Sequence, residues 1–117
     1  SDSISGAAGV DTLDGGDGND QLRGQGDFDS VLGGDGADTI LGDDFDDGVN
    51  AGEFNFDILF GEGGDDSIEG GQDVDQLDGG GGNDTVNGGS GGDSINGIDG
   101  DDVLRGFSDF TLPGAVD

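Results

Sequence analysis

Gly33-Gly34-Asp35-Gly36-Ala37-Asp38-Thr39-Ile40-Leu41 is one copy of a nine-residue unit that runs through most of the chain. On either side of it a glycine recurs every nine residues, at positions 6, 15, 24, 33 and 42 and then, after a slip of one residue, at 52, 61, 70, 79, 88, 97 and 106. Five residues after each of these, the last excepted, stands an aspartate: Asp11, Asp20, Asp29, Asp38, Asp47, Asp57, Asp66, Asp75, Asp84, Asp93 and Asp102. Two residues further on comes one aliphatic side chain: Leu13, Leu22, Val31, Ile40, Val49, Leu59, Ile68, Leu77, Val86, Ile95 and Leu104. Three residue types locked in phase define an internal repeat, and an internal repeat points to a wound architecture.

Within a unit the first six residues carry the glycines that permit positive φ and close backbone approach, so they read as a turn. The last three alternate polar, apolar, polar, which reads as a very short strand with one buried face. One unit cannot bury its aliphatic side chain alone. A chain that coils through turn, strand, turn, strand stacks its strands in two parallel sheets with those side chains between them, at eighteen residues per coil. The expected fold class is all-β, a parallel β-roll over residues 1–106 with an irregular segment at 42–56, followed by a cap or the start of one at 107–117. The tail Phe107-Ser108-Asp109-Phe110-Thr111-Leu112-Pro113-Gly114 breaks the repeat, as a cap over an open strand edge would. Asp2-Ser3-Ile4-Ser5 matches the second half of a unit, which suggests a fragment of something larger.

Composition sets the problem this fold must solve. With 28% hydrophobic residues and a formal charge of -27, the 117-residue chain has the balance of a sequence that stays unfolded unless something else stabilises it. Disulfides cannot, because there is no cysteine. Two basic residues against 29 acids leave no electrostatic basis for binding nucleic acid or an anionic membrane. The partner implied is a cation. Only Glu53, Glu62 and Glu69 are glutamates, and the preference for the shorter carboxylate suits tight turns. The absence of His and Cys argues against zinc or copper, whereas carboxylates and turn carbonyls suit calcium, a hard ion that takes six to eight oxygens in flexible geometry.

The nonapeptide resembles the calcium-binding repeat of the repeats-in-toxin (RTX) family, hemolysin-type, over roughly residues 2–106. The resemblance implies a right-handed parallel β-roll with several Ca²⁺ ions in the turns, each shared by aspartates one coil apart: Asp2 with Asp20, Asp11 with Asp29, Asp20 with Asp38, Asp66 with Asp84, Asp75 with Asp93 and Asp84 with Asp102. Asp47 and Asp57 belong to the same row, and carbonyls of the glycine turns are expected to complete the shells, from Gly15, Gly18, Gly33, Gly36, Gly61, Gly79, Gly82, Gly88, Gly91, Gly97 and Gly100. It further implies a secreted or cell-surface bacterial protein, exported by type I secretion and folding in extracellular calcium. The expected module is non-catalytic and monomeric, with room for contact with a neighbouring domain. The alternative is a calcium-stiffened spacer or ligand-binding module of an adhesin, surface-layer protein or polysaccharide-modifying enzyme.

Three departures stand out. Asp27 and Asp73 occupy the fourth position, where glycine is usual, either as extra ligands or as side chains tolerating a left-handed backbone. Residues 42–51 keep the phase at Gly42, Asp47 and Val49, which favours a degenerate coil with Ala51 as one extra residue; the other reading is an acidic loop, with the roll resuming at Asp57. Leu32, Leu41 and Phe60 cluster in sequence near Phe45, Phe54 and Phe56, which suggests packing beneath that loop or a partner contact.

Overall fold

The computed structural model describes residues 1–43 and 56–107. They form eleven strands and no helix: β1 Ser3–Ala8, β2 Thr12–Asp17, β3 Gln21–Gly26, β4 Ser30–Asp35, β5 Thr39–Asp43, β6 Ile58–Gly63, β7 Ser67–Gly71, β8 Gln76–Gly81, β9 Thr85–Ser90, β10 Ser94–Asp99 and β11 Val103–Phe107. Odd strands make one sheet, in the order β1-β3-β5-β7-β9-β11, and even strands the other, β2-β4-β6-β8-β10. Every pairing is parallel, so the chain is a β-solenoid that crosses from sheet to sheet with each unit.

The strands are longer than the three residues expected. β2 runs from Thr12 through Gly15 and Gly16 to Asp17, so the glycine pair belongs to the ladder, with Gly16 opposite Gly34 and Asp17 opposite Asp35. The turn proper shrinks to the residues just before the aspartate. Positive φ at the second position of the unit, as at Gly16 (82°) and Gly34 (104°), bends the strand without ending it.

Each unit turns three positions inward: the aliphatic residue, the aspartate and the first-position glycine, whose missing side chain leaves room for the other two. Leu13, Leu22, Val31, Ile40, Leu59, Ile68, Leu77 and Val86 form one continuous buried file, with Ile4 and Ile95 packed at its ends. Leu104 stands in register with Val86 on the last strand and is 46% exposed. Truncating Leu59, which is fully buried, to alanine is expected to cost about 2–5 kcal/mol. Denaturant unfolding in saturating calcium measures it, and Ile4→Ala at the partly buried end should cost clearly less.

The register settles the slip at 42–51. β6 pairs directly with β4, Leu59 opposite Val31, and β7 with β5, Ile68 opposite Ile40. A degenerate coil would have placed a further strand between β4 and β6, and none lies there. The repeat distance across this point is 28 residues, against 18 elsewhere, so ten residues are inserted into a single turn. The favoured reading of 42–51 as a coil is therefore corrected: the roll resumes at Asp57. Gly42 does for Asp57 what Gly33 does for Asp38, since a Cβ on Gly42 would stand 2.5 Å from Asp57 Oδ2. Asp57 accordingly faces Asp29 rather than Asp38. Asp47, Val49, Phe45 and Phe54 lie outside the described residues, as does the tail after Phe107.

This register also separates the apolar cluster. Leu32 and Phe60 are half-buried neighbours on β4 and β6, whereas Leu41 lies on β5 in the opposite sheet. The solenoid has two edges of turns. The first edge carries the turns from odd to even strands, leading to Asp11, Asp29, Asp57, Asp75 and Asp93, and it receives the insertion. The second carries the turns from even to odd strands, leading to Asp20, Asp38, Asp66, Asp84 and Asp102.

Candidate metal centre

The aspartates form two files inside the edges of the roll. Asp20, Asp29, Asp38, Asp57, Asp66, Asp75 and Asp84 are all buried, at most 3% exposed. One oxygen of each carboxylate has a fixed partner one coil back: the Asp20 N–H donates to Asp38 Oδ1 at 2.8 Å, the Asp38 N–H to Asp66 Oδ1 at 2.8 Å and the Asp57 N–H to Asp75 Oδ1 at 3.0 Å. The carbonyl of each aspartate accepts from the residue after the next coil's aspartate, as Asp20 does from Thr39 at 2.9 Å. The aspartate backbone is thus fully committed to the ladder.

The second oxygen is not. Oδ2 of Asp11, Asp20, Asp29, Asp38, Asp57, Asp66, Asp75, Asp84 and Asp93 is buried without a hydrogen-bond partner. A buried carboxylate oxygen in that condition must find a proton or a cation, because leaving a charge desolvated and unpaired is costly.

The glycines make the space. At Gly33 a Cβ would stand 2.6 Å from Asp38 Oδ2 and 2.7 Å from the Gly61 carbonyl, so the missing side chain leaves a cradle walled by two oxygens. Gly15, Gly61, Gly79, Gly88 and Gly97 present the same slot to the aspartate of their own units. Gly6, Gly24, Gly42 and Gly70 do so too, although the sequence reading left them out of the site. For Gly6, Gly24 and Gly70 the signal was already present as the five-residue step from glycine to aspartate; for Gly42 that step points to Asp47, and the insertion makes Asp57 its partner instead. The fourth-position glycines Gly18, Gly36, Gly82, Gly91 and Gly100 serve a different purpose, holding φ between 118° and 135° where the chain turns. Asp27 (77°) and Asp73 (71°) adopt the left-handed backbone that their position demands.

The proposed pairs are spatial neighbours. Backbone-to-carboxylate bonds link Asp2 with Asp20, Asp11 with Asp29, Asp66 with Asp84, Asp75 with Asp93 and Asp84 with Asp102. Among the described residues no three acidic side chains converge on one point. Carboxylates arranged in files, not clusters, would leave an ion to draw the rest of its shell from other oxygens such as backbone carbonyls, and an all-oxygen set of this kind fits calcium.

Burial, chiefly, lifts the carboxyls of Asp29, Asp57 and Asp66 to about 6 and that of Asp75 to about 7, from an ordinary value of 3.8, with neighbouring aspartates adding repulsion. Burial also raises Asp84. A folded-state value above the unfolded one means that the folded chain holds extra protons. The metal-free fold therefore has this contribution in full below 3.8 and loses it as pH climbs through about 6 to 7. Without metal, the β signal in circular dichroism should be stronger near pH 4.5 than near pH 7.5, and the calcium midpoint should rise on acidification as protons compete.

The RTX calcium-binding nonapeptide repeat matches the chain in four copies, over residues 1–22, 14–49, 52–86 and 78–109. The chain belongs to this family, and it is a calcium-binding repeat module built as a parallel β-roll. No curated protein and no solved structure gives a significant match. The family is a structural calcium-binding one, typical of secreted bacterial proteins.

Proposed function

We propose that this module is a calcium-triggered folding switch in a larger exported bacterial protein, and that it does no catalysis itself. The observation that carries the reading is the set of buried, unpartnered Oδ2 atoms in a chain of net charge -27. At neutral pH and low calcium these carboxylates repel one another and favour the open chain. Calcium supplies the missing partner, so its binding free energy becomes folding free energy. A chain that stays unfolded at cytoplasmic calcium and folds at extracellular calcium suits export through a type I channel, and extracellular calcium modules bind near 10⁻⁴–10⁻³ M. A non-catalytic role agrees with the lack of His, Cys and Tyr, since the usual nucleophile and base pairs cannot be assembled.

Small-angle scattering across a calcium series tests the switch. At submicromolar calcium the radius of gyration should approach the roughly 35 Å of an unfolded chain of this length. At millimolar calcium it should fall towards 14.0 Å. A chain already compact at submicromolar calcium would sink the proposal.

A further inference from the structure

We propose that the two edges of the roll load calcium separately, the second edge tightly and the first at least tenfold more weakly, with apolar stacking holding the first edge's turns. This rests on the calcium reading above and adds which of the chain's carboxylates carry it. Both edges bury aspartates with free Oδ2 atoms, as Asp38 (2% exposed) and Asp66 (3%) do on the second edge, so the difference lies in the turns around them.

On the second edge the fourth position is glycine in every described turn, at Gly18, Gly36, Gly64, Gly82 and Gly100. Each stacks against the carbonyl of the one before: a Cβ on Gly36 would collide with the Gly18 carbonyl, on Gly64 with that of Gly36, and on Gly82 with that of Gly64. Carbonyl oxygens therefore run in an unbroken file beside the carboxylates. The first edge keeps glycine at Gly9 and Gly91 but carries side chains at Asp27 and Asp73, whose φ of 77° and 71° departs from the 118–135° of the second-edge glycines; the Asp73 carbonyl still faces Gly91, so the difference lies in the shape of those turns and the side chains beside them.

The fifth position differs as sharply. The second edge carries Asn19, Asp65, Asn83 and Asp101, with Ala37 the one residue there without a side-chain oxygen; the Oδ1 atoms of Asn19, Asp65 and Asn83 accept from the N–H groups of Ala37, Asn83 and Asp101 at 2.8–3.0 Å, a ladder of side-chain oxygens broken at Ala37. The first edge carries Val10, Phe28, Phe56 and Val74 in the same place, and Gly92 in its last turn. The Phe28 and Phe56 rings stack with centroids 5.6 Å apart, and Val10 (71% exposed) and Val74 (48%) extend the row. Calcium needs six to eight oxygens, often including water; apolar side chains over a turn supply none and keep water away. The first-edge turns at Val10, Phe28, Phe56 and Val74 thus have fewer donors, and the Phe28–Phe56 ring contact joins two of their coils instead.

Calorimetric titration of the whole chain with calcium is the test, with circular dichroism confirming the fold of each variant. The wild type should show two classes of site at least tenfold apart in affinity. Asp38→Asn with Asp66→Asn should deplete the tight class, whereas Asp29→Asn with Asp75→Asn should leave it intact. As a gain-of-function arm that does not depend on tolerating damage, Asp27→Gly, Phe28→Asn, Asp73→Gly and Val74→Asn together should add ions to the tight class. A single class of sites, equal loss from the two pairs of variants, or no gain in the fourfold variant would overturn the two-edge proposal while leaving calcium binding standing. No binding by the wild type would remove the calcium reading and this proposal with it.

Discussion

Gly33→Ala is expected to abolish the β-sheet spectrum at any calcium concentration, and Gly70→Ala to do the same. The added methyl on residue 33 would meet Asp38 Oδ2 at 2.6 Å, the Gly61 carbonyl at 2.7 Å and Ile40 Cδ1 at 3.2 Å. On residue 70 it would meet Asp75 Oδ2 and the Gly88 carbonyl, both at 2.6 Å. In each case one obstacle is backbone of the adjacent coil, fixed by the sheet ladder, so no rotamer change makes room. Relief requires the coils to separate, which breaks the ladder, or the carboxylate to leave the cradle, which would remove the ligand proposed for the ion. The expected loss exceeds the roughly 1–3 kcal/mol of ordinary overpacking. Alanine at Asp35, an exposed strand position, is the control and should fold as the wild type does. If Gly33→Ala folded normally, the cradle would not be the reason for the repeat's first glycine.

Asp66→Asn is expected to move calcium dependence and metal-free stability in opposite directions. Asp66 Oδ1 accepts from the Asp38 N–H at 2.8 Å, and its own N–H donates to Asp84 Oδ1 at 2.9 Å, so this residue faces both neighbouring coils. Asparagine keeps an acceptor for the Asp38 N–H and removes the charge. Without metal, the buried carboxyl lifted to about 6 is a burden at neutral pH, and its neutral replacement should fold at a lower concentration of a stabilising osmolyte such as trimethylamine N-oxide. With metal, two adjacent sites lose a charged ligand together, and the calcium midpoint should rise at least tenfold, about 1.4 kcal/mol. Circular dichroism titrations of the two chains with calcium, and with the osmolyte in chelator, measure both arms. A more stable metal-free fold with an unchanged calcium midpoint would mean that Asp66 is structural and not a ligand.

Much of this was legible in the sequence because the repeat is a statement about register. Glycine, aspartate and aliphatic residue in phase fixed the two sheets, the file from Leu13 to Val86 and the pairing of Asp20 with Asp38. Three things were not. The strands proved longer because glycine pairs such as Gly15-Gly16 remain in the ladder, where propensity alone assigns them to a turn. The stretch after Gly42 mimicked a repeat through Asp47 and Val49, and only long-range pairing of β4 with β6 showed that ten residues had been inserted into one turn. That error also hid the difference between the edges. Counting 42–51 as a coil shifts every later unit to the wrong sheet, so Phe56 and Val74 fall in line with Asn19 instead of Phe28. With the insertion placed correctly, the apolar row and the Asx row separate. The inward aim of the carboxylates was also unreadable, since polar residues beside glycine ordinarily face solvent, and only the empty side of the first glycine gives Asp38 an interior place.

The central claim is that calcium, and not the aliphatic file alone, holds this fold at neutral pH. Far-ultraviolet circular dichroism against calcium tests it most directly, with magnesium as the control, since the chain has no Trp or Tyr for fluorescence. A coil spectrum in chelator, converting cooperatively to β with calcium and not with magnesium, is the predicted result. A β spectrum in chelator that calcium leaves unchanged, or a coil that persists at saturating calcium, would contradict it.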